Sequence, residues 1–290
     1  MAKRIFLFLI TNLAIVITLS VVLGILSSLG FRVYGGGYEG LAVFCFVWGM
    51  GGAFLSLQMS RWIAKRSTGM VLVDGRTGRQ EADWLYSTVE RLTRQAGLPM
   101  PEVGIYESPE LNAFATGPSK SRSLVAVSSG LLRSMRPDEV EGVLAHEVTH
   151  IANGDMVTMT LLQGVINAFV MFFARLIAFG IRQGSDSRNS GAMSWMVMIA
   201  LEIVFGILGS LITAWFSRQR EFRADRGGAT LAGRPSMVAA LRRLAANREL
   251  VDTQQPALAT LKINGMPGWT ALFSTHPPLE QRIAALERGV

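Results

Sequence analysis

Cysteine is almost absent from this chain. Cys45 is the only one in 290 residues, so no intramolecular disulfide can form, and a cytosolic setting for the soluble part is permitted. A zinc ion, if one binds, must find its ligands among His, Glu and Asp. Histidine is scarce as well: His146, His150 and His276 are all there are. Charge is the third shortage, with 17% of residues charged against 50% hydrophobic and a mean hydropathy of +0.34. Soluble proteins rarely have that balance, which makes membrane spans the first expectation. The sequence shows no internal repeat and no low-complexity segment. Its net charge is +7, but the basic residues flank apolar stretches instead of forming one stripe. That distribution fits lipid and topology, and no nucleic-acid partner is expected.

Four apolar stretches are present. Residues 5–30 carry no charge, 38–62 are charged only at Glu39 and Arg61, 161–181 contain Arg175, and 193–216 contain Glu202. Each has at least ~20 residues, enough to cross a ~30 Å hydrocarbon core as a helix. The first follows Lys3 and Arg4 as a signal peptide would. It exceeds the usual ~7–15-residue signal core, and no clear Ala-x-Ala site follows, so an uncleaved span is expected.

Basic residues near the span ends set the topology. Lys3 and Arg4 precede the first span, Arg61, Lys65 and Arg66 close the second, and Arg218, Arg220, Arg223 and Arg226 follow the fourth. The positive-inside rule then places both termini and the central region in the cytoplasm. Arg175 and Glu202 are costly in lipid, and the competing reading is a pair of buried helices in a soluble domain. Counted from the turn between spans three and four, they lie at comparable depths, ~9 and ~13 Å at 1.5 Å per residue. An ion pair across a membrane hairpin is therefore expected.

Residues 63–160 are more polar. Residues 80–97 have Trp84, Leu85, Val89 and Leu92 at helical spacing, with Gly97 as a stop. Residues 103–106 and 123–128 read as short strands, with 111–117 as a third candidate. Pro137 followed by Asp138 and Glu139 marks a helix start. Beyond the fourth stretch, 236–250 and 279–288 read as helices.

The helix opened by Pro137 carries His146-Glu147-Val148-Thr149-His150. Residues i and i+4 share a helix face, so His146 and His150 can chelate one metal ion. Glu147, ~100° around the helix, has its carboxylate beside that metal, placed to take a proton from bound water. A catalytic zinc site usually has three protein ligands. The candidates for the third are His276 and Glu221. Glu221 follows the fourth stretch directly, and a hairpin formed by spans three and four returns it near His150. Asp225, one turn further on, can accept a hydrogen bond from the far nitrogen of a ligating imidazole. Arg218, Arg220 and Arg223 allow the plainer reading of a surface salt-bridge helix, which the neighbouring histidine motif outweighs.

His146 through Asp155, Arg220-Glu221-Phe222-Arg223-Ala224-Asp225, Leu111 through Gly117 and Ser274-Thr275-His276-Pro277-Pro278 together resemble the motifs of the HtpX membrane zinc metalloproteases, relatives of the type I CAAX prenyl proteases. The resemblance runs over most of the chain. It implies a mainly α integral membrane protein, with four transmembrane helices and a cytoplasmic α+β zincin-like (gluzincin) domain. It implies one Zn2+ per chain held by His146, His150 and Glu221, Glu147 as general base and Asp225 behind the ligands. It makes His276 a candidate for stabilising the oxyanion, with Arg282 a second candidate for that role or else a solvated surface residue. Asn112 and Ala113 belong to a candidate substrate edge, where an extended peptide pairs with an exposed strand; an ordinary loop is the other reading. The implied activity is cleavage of damaged or misfolded membrane proteins at the cytoplasmic face of the bacterial inner membrane.

The expected organisation is a membrane hairpin at 1–62, the first part of the protease domain at 63–160, a second hairpin at 161–216 and the rest of the protease domain at 217–290. Processing of prenylated peptides is the enzymatic alternative. A non-catalytic membrane zinc sensor or scaffold is the other.

Overall fold

The computed structural model describes residues 37–183, 190–254 and 270–289. The first apolar stretch, 5–30, lies outside the described residues. The described elements begin with helix α1 (Gly37–Thr68), strand β1 (Val71–Val73), helix α2 (Gln80–Gln95) and strands β2 (Glu102–Tyr106), β3 (Ala113–Ser119) and β4 (Arg122–Ser128). Helices α3 (Ser129–Ser134), α4 (Pro137–Asn153), α5 (Asp155–Gln183), α6 (Ser190–Ala232), α7 (Arg234–Gln254) and α8 (Leu279–Arg288) follow, with a short 3-10 turn at Thr270–Phe273 before α8.

Contacts divide the chain into two compact units. One takes the described parts of Met1–Phe54, Leu161–Ala214 and Leu261–Phe273, the other those of Leu55–Thr160, Trp215–Thr260 and Ser274–Val290. The expected boundary at 216/217 is not a break in secondary structure, because α6 runs unbroken from Ser190 to Ala232. Glu221 therefore rides on the same helix as the fourth apolar stretch.

In the first unit, helices meet at small residues. A Cβ on Gly49 would lie 2.7 Å from the Ala168 backbone nitrogen, and one on Gly209 would lie 2.5 Å from Ile166 Cγ2. Such close approach is how helices associate where no water drives them together. Arg175 Nη1 donates to Glu202 Oε1 at 2.7 Å, and both side chains are buried. The ion pair expected from their depths is formed. Large apolar side chains such as Phe46, Phe54, Phe169 and Met196 point outward, as lipid contact requires. Among the described residues three helices, Glu39–Thr68, Asp155–Ile181 and Met193–Ala232, are long and apolar enough to cross a membrane.

The second unit is built on a four-stranded sheet of order β1-β2-β4-β3. β1 pairs antiparallel with β2, β2 parallel with β4, and β3 antiparallel with β4. β3 is thus an edge strand. It begins at Ala113, so Asn112 sits just ahead of it. Leu85, Val89 and Leu92 from α2, Val103, Val125 and Val127 from the sheet, and Leu144, Val148 and Ile151 from α4 form one buried core. Each such side chain contributes roughly 1.5–3 kcal/mol on burial, and together they fix α4 against the sheet. That helix starts as its sequence dictates: Pro137 opens it, and Glu139 Oε2 accepts the Arg136 backbone N–H at 2.8 Å. It stops at Gly154, whose φ of 67° suits glycine.

Candidate metal centre

α4 presents His146 and His150 on one face, one turn apart. Their Nε2 atoms lie 3.0 Å from each other. Glu221 of α6 completes the cluster, with Oε2 3.4 Å from His146 Nε2 and Oε1 3.5 Å from His150 Nε2. All three residues are buried. Glycine lets α6 press this closely on α4. A Cβ on Gly227 would lie 2.2 Å from Thr149 Cγ2, and one on Gly228 would lie 3.1 Å from the His146 backbone nitrogen.

The far nitrogens of both imidazoles face carboxylates. His146 Nδ1 lies 3.0 Å from Asp225 Oδ1, as the sequence led us to expect. His150 Nδ1 lies 2.6 Å from Asp155 Oδ2, a partnership sequence reasoning missed. Its only trace in the sequence is an acidic residue just past the Gly154 stop. With both Nδ1 atoms donating, the Nε2 lone pairs point at one another and at a carboxylate. Glu221 Oε2 is buried without an aligned hydrogen-bond donor. In the neutral rings, two nitrogen lone pairs and the Glu221 carboxylate converge on one point that suits a metal cation; Arg220, His276 and Arg282 face the same carboxylate from its other sides. The ligand atoms of His146, His150 and Glu221 lie within 4.8 Å of one another, so the donor set fits a divalent metal. Burial opposes charging of the imidazoles, but the carboxylates outweigh it. His146 is pushed up, chiefly by Asp225 and Glu221, and His150 is pushed up to about 9 by Asp155 and Glu221.

Glu147 sits beside the cluster without joining it. Its Oε2 accepts the backbone N–H of Ala115, on the edge strand β3, at 2.8 Å. A cavity of about 120 Å³ opens there, lined among others by Asn112, Ala113, His146, Glu147, His276 and Arg282. His276 Nδ1 lies 2.9 Å from Glu221 Oε2, and its side chain is 56% exposed against 1% for Glu221. It is the accessible histidine of the three. Its segment is tied to α6 by Arg218 Nη1, which donates to Ser274 O at 2.8 Å. Arg282 is buried, not a solvated surface residue. Asp225 Oδ2 accepts its Nε at 2.7 Å and Oδ1 accepts its Nη2, while Nη1 lies 3.3 Å from Glu221 Oε2.

Three converging protein donors with an uncommitted carboxylate beside them characterise hydrolytic metal sites; structural sites close with a fourth ligand. A cavity along an edge strand adds a place for an extended chain, and the class so defined is a metallopeptidase. Peptidase family M48 matches residues 79–290, which contain every residue of this site, and the chain belongs to that family. Curated relatives align with the chain along nearly their whole length. Protease HtpX of Aeromonas hydrophila is 54% identical over 98% of this chain and 99% of its own. Protease HtpX of Idiomarina loihiensis is 53% identical over 99% of each. Protease HtpX homolog of Bacillus licheniformis is 52% identical, again over 99% of each. Among solved structures, S. mikatae Ste24p shares the fold with a TM-score of 0.64 at 19% identity, covering 96% of this chain and 66% of that one. The protein is a metalloprotease carried on apolar helices of membrane-spanning length.

Proposed function

We propose that this protein is a zinc endopeptidase that cleaves misfolded membrane proteins at the cytoplasmic face of the bacterial inner membrane. The observation that carries the metal assignment is the convergence of His146 Nε2, His150 Nε2 and Glu221, with both Nδ1 atoms held by carboxylates. A nitrogen-rich set with one carboxylate suits Zn2+ better than Ca2+ or Mg2+, which prefer all-oxygen ligands. One ion per chain is expected. Bound there, zinc supplies a Lewis acid and a water acidified to a pKa of about 7.

The remaining chemistry belongs to the side chains. Ala115 N–H holds Glu147 Oε2, which leaves Oε1 free to take a proton from the attacking water and pass it to the leaving amine. His276, exposed and beside Glu221, opposes the negative charge that develops on the scissile carbonyl oxygen. Asn112 and Ala113 line the cavity at the start of edge strand β3 and receive the substrate as an added strand. Asp225 occupies Arg282 Nε and Nη2, so any substrate contact by Arg282 falls to Nη1.

The basic residues support the orientation. Arg218, Arg220, Arg223 and Arg226 follow the apolar part of α6, and Arg61, Lys65 and Arg66 close α1. With residues 5–30 as a further span, the chain crosses four times. Residues 1–62 and 161–216 then form the two hairpins, and 63–160 with 217–290 form the cytoplasmic protease domain.

The test is to purify the wild type and Glu147→Ala in detergent under chelation and then add zinc. We expect both to bind one equivalent and only the wild type to cleave casein or itself. Zinc loss by Glu147→Ala equal to that of His146→Ala would make Glu147 a ligand. Cleavage of a prenylated peptide but not of an unfolded membrane protein would replace the substrate class proposed here.

A further inference from the structure

The turn between β3 and β4 carries two cations that the protein leaves uncompensated. Lys120 and Arg122 are both exposed, and among the described residues neither enters an ion pair. Arg122 has a neutral partner instead: its Nη2 donates to Gln58 Oε1 at 3.0 Å. Gln58 lies on α1 within the apolar stretch, about one turn nearer its centre than Arg61. A second contact fixes the direction of the sheet. Glu102, at the start of β2, meets Lys65 Nζ at 2.6 Å and Arg61 Nη1 at 3.4 Å. Glu102 is in register with Leu124 of the parallel strand β4. Leu124 is therefore level with Arg61 and Lys65, where α1 leaves its apolar stretch. Going back along β4 from Leu124 to Arg122, ~7 Å at ~3.3 Å per residue, runs the same way as going back along α1 to Gln58. The β3–β4 turn is thus the end of the sheet that approaches the membrane.

Trp62 marks the depth. It is exposed one residue beyond Arg61, and tryptophan settles at the level of the lipid headgroups. Among the described residues Glu102 is the one carboxylate paired with any of Arg61, Lys65, Lys120 and Arg122, so the surface here is positive. We infer that the β3–β4 turn is a binding site for the headgroups of anionic phospholipids, held by Lys120 and Arg122. An acidic protein segment would meet the same charges, but the contact with Gln58 sets the turn beside the apolar part of α1, where lipid is the neighbour. The hairpin also carries Ala115, whose N–H holds Glu147, so the lipid contact is made by the strand that borders the metal site. The inference rests on α1 being a membrane span.

Ser121 is exposed between the two cations and serves as the reporter. The full chain carrying Ser121→Cys is labelled with an environment-sensitive nitrobenzoxadiazole dye, and the wild type, whose Cys45 is buried, is the unlabelled control. The chain is reconstituted into phosphatidylcholine vesicles with increasing shares of phosphatidylglycerol. A carbonate wash comes first: a chain that washes out loses the span reading and this inference with it. In the retained chain we expect phosphatidylglycerol to shift the emission to the blue, and a lipid with a nitroxide on its headgroup to quench it. Lys120→Gln and Arg122→Gln should each raise the share of phosphatidylglycerol needed for half the shift about fivefold, the effect of one basic residue at an anionic surface. Lys120→Arg should not. Gln58→Leu keeps both charges and should leave the response near that of the wild type; a loss there equal to that of Arg122→Gln would make the arginine structural and overturn its role. Emission indifferent to phosphatidylglycerol, or a response untouched by Lys120→Gln, overturns the inference. So does a shift produced by an acidic protein such as casein in place of the lipid.

Discussion

His150 and Asp155 face each other across the left-handed turn at Gly154, with Nδ1 2.6 Å from Oδ2. Asp155 is the first residue of α5, so the end of the metal-binding helix and the start of the next are joined through the metal's ligand. Asp155→Ala should leave His150 free to rotate and to take the other tautomer. We expect metal affinity to fall about 10–100-fold, read by competition with a chromophoric chelator. Unchanged affinity would remove Asp155 from the site.

The approach of α6 to α4 depends on Gly227. A methyl group there would meet Thr149 Cγ2 at 2.2 Å, and Thr149 is buried. Gly227→Ala should cost about 1–3 kcal/mol through overpacking. It should also lower metal content, because Glu221 and Asp225 ride on the displaced helix. Thr149→Ala on top of it should restore part of both. Thermal unfolding and metal analysis check this; a tolerated Gly227→Ala would show that the side chains yield without moving α6.

The histidines predict a pH dependence for protein stripped with a chelator. His150 is pushed up to about 9, above the ordinary value of about 6.5 expected when unfolded. A raised folded value means the contribution is complete below about pH 6.5 and is lost as the pH rises through about 9. His146 is shifted the same way. The stripped protein should therefore lose thermal stability between pH 6.5 and 9. Metal affinity should rise over the same window, since each imidazole must shed a proton to bind. A melting temperature flat across it would contradict the assignment.

Arg175 and Glu202 form a buried pair between α5 and α6. Arg175→Met alone should destabilise by ~3–5 kcal/mol, because it leaves an uncompensated buried charge, and the double change to Met should recover most of that. Thermal unfolding in detergent reads both. Equal loss in the single and double variants would show that the arginine acts through packing instead.

Side-chain spacing made much of this site legible from sequence. His146 and His150 one turn apart state a chelate on any helix, and the hairpin argument brought Glu221 and Asp225 to them. Partners supplied by the backbone left no such mark. Nothing in the identity of Ala115 reveals that its N–H holds Glu147, because any residue there has one. Asp155 was visible but had no evident role, since its contact depends on the turn at Gly154. The strands at 103–106 and 123–128 were expected from their apolar runs. Their parallel pairing, with β3 outside β4, was not, because pairing partners lie beyond the reach of local patterns. The role of Gly227 and Gly228 depends on α4 packing beside them, which no local pattern states.

The metal cluster contains two nitrogen donors, one oxygen donor and no sulfur, and Cys45 is confined to the other compact unit. Oxidants that dismantle thiolate zinc sites by converting Cys to sulfenic acid or disulfide have no such group to attack here. A protease built this way has a metal site that oxidation of thiolates cannot dismantle.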